Sequence, residues 1–120
     1  MNKVDGKVAL VTGGGSGIGK TTCELLAKSG AQVVVTDIAV ESAEVTAQFI
    51  RDSGGDAISL SHDVASEEDW GSVITDTINR YGKLNILVNN AGVAFQAGYI
   101  DEITFKEWLK NKPYSKGYFF

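Results

Sequence analysis

A chain of 120 residues with 43% hydrophobic content is long and apolar enough for one packed domain, which excludes a disordered segment. Its net charge of −4 argues against nucleic acid or an anionic membrane as partner, and no apolar run is long enough to span a bilayer. The single cysteine, Cys23, excludes an internal disulfide and fits a cytoplasmic setting. Residues 1–7 lack the apolar core of a signal peptide.

Short apolar runs alternate with helical patterns, the arrangement of a parallel sheet with crossover helices. A first strand is predicted over 7–12, where Val8-Ala9-Leu10-Val11 suits burial on both faces. A glycine-rich turn leads to a helix over 18–29, with Ile18, Thr22, Leu25 and Leu26 as its inward stripe and Gly30 as its stop. The second strand spans 32–36 and ends at Asp37. The second helix spans 40–52, turns Val40, Ala43, Ala47 and Ile50 inward, and stops at Gly54-Gly55. A third strand follows over 56–61. Ser66 and Asp69 have capping-box spacing before a third helix, in which Trp70, Val73, Ile74, Thr77, Ile78 and Tyr81 recur at helical period. A fourth strand over 84–88 runs into Asn89-Asn90-Ala91-Gly92. A last helix starts near Thr104 and directs Phe105, Trp108 and Leu109 inward. Right-handed crossovers then give an α/β fold, a doubly wound parallel sheet of Rossmann type in the order 3-2-1-4, within one domain. Strand four is left as an apolar edge that invites self-association.

The segment Thr12-Gly13-Gly14-Gly15-Ser16-Gly17-Ile18-Gly19 stands where the first strand hands over to the first helix. Glycines there allow a tight turn and a close approach to a pyrophosphate, and the helix N-terminus offers free N–H groups. Asp37 lies 18 residues past Gly19, at the end of the second strand. A carboxylate at that place accepts hydrogen bonds from the adenosine ribose hydroxyls and repels a 2′-phosphate. No arginine lies in the loop or just after Asp37, so NAD is expected rather than NADP. A second reading also fits these residues. Gly14, Gly19, Lys20 and Thr21 satisfy the P-loop pattern, in which Lys20 would hold the β- and γ-phosphates of ATP.

Three elements in order make the chain resemble the short-chain dehydrogenase/reductase family. They are Thr12, Gly13, Gly17 and Gly19 in the glycine loop, Asp63-Val64 after the third strand, and Asn89-Asn90-Ala91-Gly92 after the fourth. The resemblance covers roughly residues 4 to 106 and displaces the P-loop reading. It implies an NAD-dependent oxidoreductase that interconverts a secondary alcohol and a ketone. Thr12 would stabilise the turn, and Gly13, Ser16, Ile18 and their neighbours would line the pyrophosphate. Asp37 would hold the ribose, and Asp63 and Val64 would contact the adenine. Asn89, Ala91 and Gly92 would line the nicotinamide-ribose side.

The same resemblance implies catalytic residues that these 120 residues do not include. They are a serine on a fifth strand and a Tyr-x-x-x-Lys pair; Tyr114-Ser115-Lys116 has the wrong spacing. The chain stops at about half the family's usual length. It is therefore expected to supply the nucleotide-binding half, to bind NAD(H), and to meet an alcohol or ketone only if a catalytic half is supplied. Where the family reads Asn-x-Lys-Gly, this chain has Tyr114-Ser115-Lys116-Gly117, and Pro113 interrupts the helix. Residues 108–120 are thus an atypical tail, with residues 108–115 ascribed to a small deletion or frame change. No metal site is expected, because His62 is the only histidine and no ligand cluster surrounds it. His62 is read as a strand-end residue and Cys23 as packed and inert.

Overall fold

The computed structural model describes residues 4–90 and the two-residue strand Tyr118–Phe119. The elements in chain order are β1 (Val8–Val11), α1 (Gly17–Lys28), β2 (Gln32–Asp37), α2 (Val40–Asp52), β3 (Ala57–Ser61), α3 (Glu67–Tyr81), β4 (Ile86–Val88) and β5 (Tyr118–Phe119). The sheet is parallel, with the order β3-β2-β1-β4-β5. The expected 3-2-1-4 order is present, with one strand added. Tyr118 pairs with Ile86 and Phe119 with Leu87, so β4 is not the edge that the sequence led us to expect. The expected last helix near Thr104, with Phe105, Trp108 and Leu109, lies outside the described residues, as does the tail apart from β5.

Both faces of the sheet are covered, and the strand sequences alternate between two cores. Val8, Leu10 and Val34 face α3, where they meet Val73, Ile74, Leu84 and Leu87. Val11, Val33 and Val35 face α1 and α2, where they meet Cys23, Ala43, Ala47 and Ile50. All four residues of β1 are fully buried, as a strand flanked by two neighbours and two helical layers must be. Among the described residues no helix is long and apolar enough to cross a membrane.

The third helix turns inward the residues its period predicts. Val73, Ile74 and Thr77 are buried, with Trp70, Ile78 and Tyr81 packed at the margin. Its capping box is only half formed. The Asp69 N–H donates to Ser66 Oγ at 3.1 Å, but the Asp69 carboxylate accepts from the Asp63 N–H instead of the Ser66 N–H. In the second helix Ala43, Ala47 and Ile50 are buried as expected, whereas Val40 is 39% exposed and Thr46 takes an inward place.

The first helix corrects its predicted stripe. Ile18 is 78% exposed and Leu25 60%, while Gly19 and Cys23 are buried and Leu26 and Ala27 pack beside them. The inward set 19, 23, 26, 27 is the expected set 18, 22, 25, 26 moved by one residue, a rotation of about 100° that keeps Leu26 inward as expected and turns Ile18 and Leu25 out. Small residues win that face because α1 begins against the backbone of the glycine loop. Burial drives the Cys23 thiol up to about 12, with Glu24 pushing the same way, so this cysteine is packed and inert as expected.

The two helices differ in what a side chain contributes. Ile74→Ala should destabilise the fold by about 3 kcal/mol, since it removes a buried branched side chain and leaves a cavity. Leu25→Ser, in the stripe that periodicity favoured, should change stability by no more than about 0.5 kcal/mol. Urea unfolding of both variants measures the contrast, and equal losses would show that α1 buries Leu25 after all.

Candidate functional site

In a parallel sheet the carboxyl ends of all strands share one edge, and the loops leaving them gather there. Here they border a cleft of about 370 Å³ lined by Gly13, Ser16, Asp37, Ile38, His62, Asp63, Val64 and Asn90. The glycine loop after β1, the end of β2, the turn after β3 and the end of β4 thus meet around one space.

The start of α1 carries neither a side-chain cap nor an acid. Ser16 is its N-cap in extended backbone, its side chain makes no capping bond, and no acidic residue stands in the first turn. Ser16, Gly17 and Ile18 are exposed. The positive end of the helix therefore opens outward with no carboxylate of its own, the arrangement that suits a phosphate. Gly17 has φ +56°, a conformation an L side chain rarely adopts. At Gly19 a Cβ would collide with the Gly13 carbonyl and stand 2.5 Å from Asn90 Nδ2. That close approach is what brings the first helical turn to the cleft.

Asp37 closes the opposite side. Its Oδ2 accepts the Gly15 N–H at 3.0 Å, and its Oδ1 accepts the Ala39 N–H at 3.0 Å. A carboxylate has about four acceptor positions, so each oxygen keeps one for a ligand hydroxyl. Asp37 is therefore also a structural residue that holds the glycine loop against the end of β2.

Asp63 stands in a tight turn, with its Oδ1 accepting the Ala65 N–H at 3.0 Å. The Val64 carbonyl accepts from Trp70 Nε1 at 2.9 Å, which fixes this wall of the cleft to α3. The Thr12 hydroxyl joins β1 to β4. It accepts the Asn90 N–H at 2.8 Å and lies 3.0 Å from Asn89 Oδ1. Asn90 Nδ2 in turn donates to the Gly13 carbonyl at 3.3 Å.

Of the residues expected from sequence, Gly13, Ser16, Asp37, Asp63 and Val64 line the cleft together. Thr12 and Gly19 are buried beneath the glycine loop, while Gly17 and Ile18 lie exposed at the helix start. Asn89 faces Thr12. Ala91 and Gly92 lie outside the described residues. Three lining residues had no assigned role: Ile38, His62 and Asn90. Ile38 is 73% exposed on the rim, and its signal was an apolar residue directly after the acid that ends β2. Asn90 was the unassigned member of the Asn-Asn pair. His62 is 2% exposed, bonded through Nδ1 to Thr36 Oγ1 at 3.0 Å, and packed edge-on against Trp70. Burial lowers its pKa against the opposing pull of Asp69 and Asp63. Among the described residues no group of three or more metal-ligating side chains is present.

A family model described as short chain dehydrogenase matches residues 7–111. A cyclohexanol dehydrogenase of Acinetobacter sp. is 38% identical over 109 residues, 91% of this chain and 43% of that protein. A 3-beta-hydroxysteroid dehydrogenase of Comamonas testosteroni is 44% identical over 92 residues, 77% of this chain and 35% of that protein. The fold is similar to that of a 7 alpha-hydroxysteroid dehydrogenase solved with NADH and 7-oxo glycochenodeoxycholic acid. The TM-score is 0.73 at 41% identity, over 75% of this chain and 35% of that one. The chain thus spans less than half the length of these relatives.

The Thr12 hydroxyl is the joint between the glycine loop and the Asn89-Asn90 strand end. Thr12→Val keeps the shape but strands the Asn90 N–H, which should cost about 1–3 kcal/mol of stability. Thr12→Ser should recover most of it. Denaturant unfolding of the two variants reads this directly; a Val variant as stable as the parent would show that the joint carries no weight.

Proposed function

This chain belongs to the short-chain dehydrogenase family, and we propose on that premise that its residues form the NAD(H)-binding part of an oxidoreductase interconverting a secondary alcohol and a ketone. The observation that carries this reading is the pairing of an uncapped helix start with Asp37 across one cleft. The helix start suits the negative pyrophosphate, and the carboxylate suits ribose hydroxyls. Gly13, Ser16, Gly17, Ile18 and Gly19 would surround the pyrophosphate. Asp37 would take the adenosine ribose, and Asp63 and Val64 the adenine. Asn89, Ala91 and Gly92 would border the nicotinamide ribose. A bound nicotinamide supplies the hydride-carrying ring; this chain's own residues bind, orient and shield it.

NAD is favoured over NADP because Asp37 would face a 2′-phosphate with like charge. No Ser-plus-Tyr-x-x-x-Lys set accompanies the site in these 120 residues, so binding without turnover is the expected behaviour. We take the chain as one partial domain with an atypical tail over 108–120. Self-association at the β4 end of the sheet would require a second copy to pair with β5 or displace it. The lone cysteine supports a cytoplasmic, reducing setting.

Calorimetric titration with NADH, NADPH and Mg-ATP tests the assignment. NADH should bind about tenfold more tightly than NADPH, a modest like-charge penalty at a solvated rim. Asp37→Asn should narrow that ratio. The ratio is the right readout, since any change at Asp37 also disturbs Gly15. Equal affinities in the parent chain would remove the NAD preference. Mg-ATP binding with neither dinucleotide bound would favour the P-loop reading through Lys20.

A further inference from the structure

We propose that His62 is a positioning residue that locks together the three strand ends carrying the dinucleotide cleft, and that the lock holds only while its imidazole is neutral. The proposal rests on the dinucleotide reading above.

The lock follows from counting protons. Thr36 Oγ1 lies 3.2 Å from the Val11 carbonyl and 3.0 Å from His62 Nδ1. A hydroxyl has one hydrogen, and the carbonyl can only accept; giving that hydrogen to Val11 is the assignment that makes both bonds at once. The oxygen lone pair then accepts from Nδ1–H. Neutral His62 accordingly carries its proton on Nδ1 and leaves Nε2 as a bare lone pair. Nε2 is buried and has no hydrogen-bond partner among the described residues. The resulting chain runs from β3 through β2 to β1, just beneath the cleft. The His62 backbone N–H adds a second tie, to the Asp37 carbonyl at 3.0 Å. Trp70 of α3 stands at 90° to the ring, with centroids 4.3 Å apart, and closes the remaining side. The residues on either side of these ties are Thr12-Gly13, Asp37 and Asp63-Val64, three of the four walls of the site.

Protonation attacks this arrangement at one atom. It would place an N–H on Nε2, where no acceptor is at hand among the described residues, and a charge on a residue 2% exposed. The charged groups near the ring are Asp63 beside it in the chain and Asp69 of α3, and both favour the imidazolium. Asp37 of β2 directs its carboxylate to Gly15 and Ala39. Burial outweighs the two acids and holds the pKa below the ordinary imidazole value. A depressed pKa means that the lock is complete at and above that ordinary value and fails as the pH falls through the lowered one. The added proton leaves the Nδ1–H donor in place, so the lock fails only as the ring turns to carry Nε2–H and its charge toward Asp63 or Asp69, a movement that breaks the tie to Thr36 and takes the adenine-side wall with it.

His62 is the only histidine in the chain, so its ring resonances are unambiguous in NMR. The test titrates the full chain from about pH 7.5 to 5, near the ordinary imidazole range, with and without NADH. The ring should titrate below the free imidazole value, and the amides of Gly13, Asp37 and Asp63 should shift with the same midpoint. NADH affinity should fall several-fold over that transition, at most tenfold per pH unit for one proton. His62→Asn, which can still offer an N–H toward Thr36 but not the ring packed against Trp70, should bind NADH more weakly than the parent at neutral pH and lose this pH dependence. His62→Phe, which removes the bond to Thr36 while the Thr36 hydroxyl keeps its bond to Val11, should weaken NADH by up to about tenfold, the worth of one buried hydrogen bond.

A ring that titrates at the ordinary value, silent amides, or an Asn variant with the parent's pH profile would each overturn the lock. The parent titration decides the matter even if His62→Phe does not fold. NADH bound equally well at both ends of the range sinks the lock alone. NADH unbound at every pH sinks the dinucleotide reading, and the role of His62 in it.

Discussion

The absence of a side chain at Gly19 sets the position of everything around the cleft. Because a Cβ there would strike the Gly13 carbonyl and crowd Asn90, α1 can begin directly against the backbone that leaves β1. That contact fixes the rotation of the helix. Cys23 then lies one turn further along the same face, packed beside Val35 and Gly14. Ile18 and Leu25 are carried out to solvent. The first turn carries no acidic residue, so the helix keeps its positive end available.

Around that start the molecule arranges negative charge with some care. Asp37 and Asp63 border the cleft, yet each spends a carboxylate oxygen on a backbone N–H: Gly15 and Ala39 for the first, Ala65 for the second. These bonds give the acids fixed orientations. A fixed acceptor can meet a ribose hydroxyl without first losing side-chain entropy. The polar ties beneath the site follow the same logic. Thr12 links β1 to β4, and Thr36 links β1 to His62 at the end of β3. The strand ends are pinned to one another in a layer just below the surface at which a ligand would lie.

Much of this was legible in the sequence, for identifiable reasons. The strands could be read because apolar runs such as Val33-Val34-Val35 have few alternatives in a chain of this composition. The third helix could be read because large side chains at helical spacing declare the buried face, and Trp70, Val73 and Ile74 do so. The first helix misled for the opposite reason. Its buried face is made of glycine, cysteine and alanine beside a partly buried Leu26, and periodicity weights large apolar residues, of which Ile18 and Leu25 here point outward. The β4 edge misled because two residues, Tyr118 and Phe119, carry too short a pattern to announce a strand. His62 was hidden because its meaning comes from Thr36, 26 positions away, through a register that only the sheet creates.

The double employment of Asp37 bears on how such a site can change. If the acid only discriminated between dinucleotides, replacing it would alter preference and nothing else. Its bond to the Gly15 N–H makes it part of the glycine loop, and Gly15 has little space of its own, since a Cβ there would meet Ser42 and Asp37 itself. Removing the carboxylate therefore frees a backbone N–H in the segment proposed to cradle a pyrophosphate. A shift toward a 2′-phosphorylated cofactor would need two changes together: a cation to meet the phosphate and a new acceptor for Gly15. A single substitution loosens the loop before it can recruit the new ligand. Ligand preference and loop geometry are consequently coupled through one side chain, and the route to altered specificity runs through the residues that could take over its structural bond.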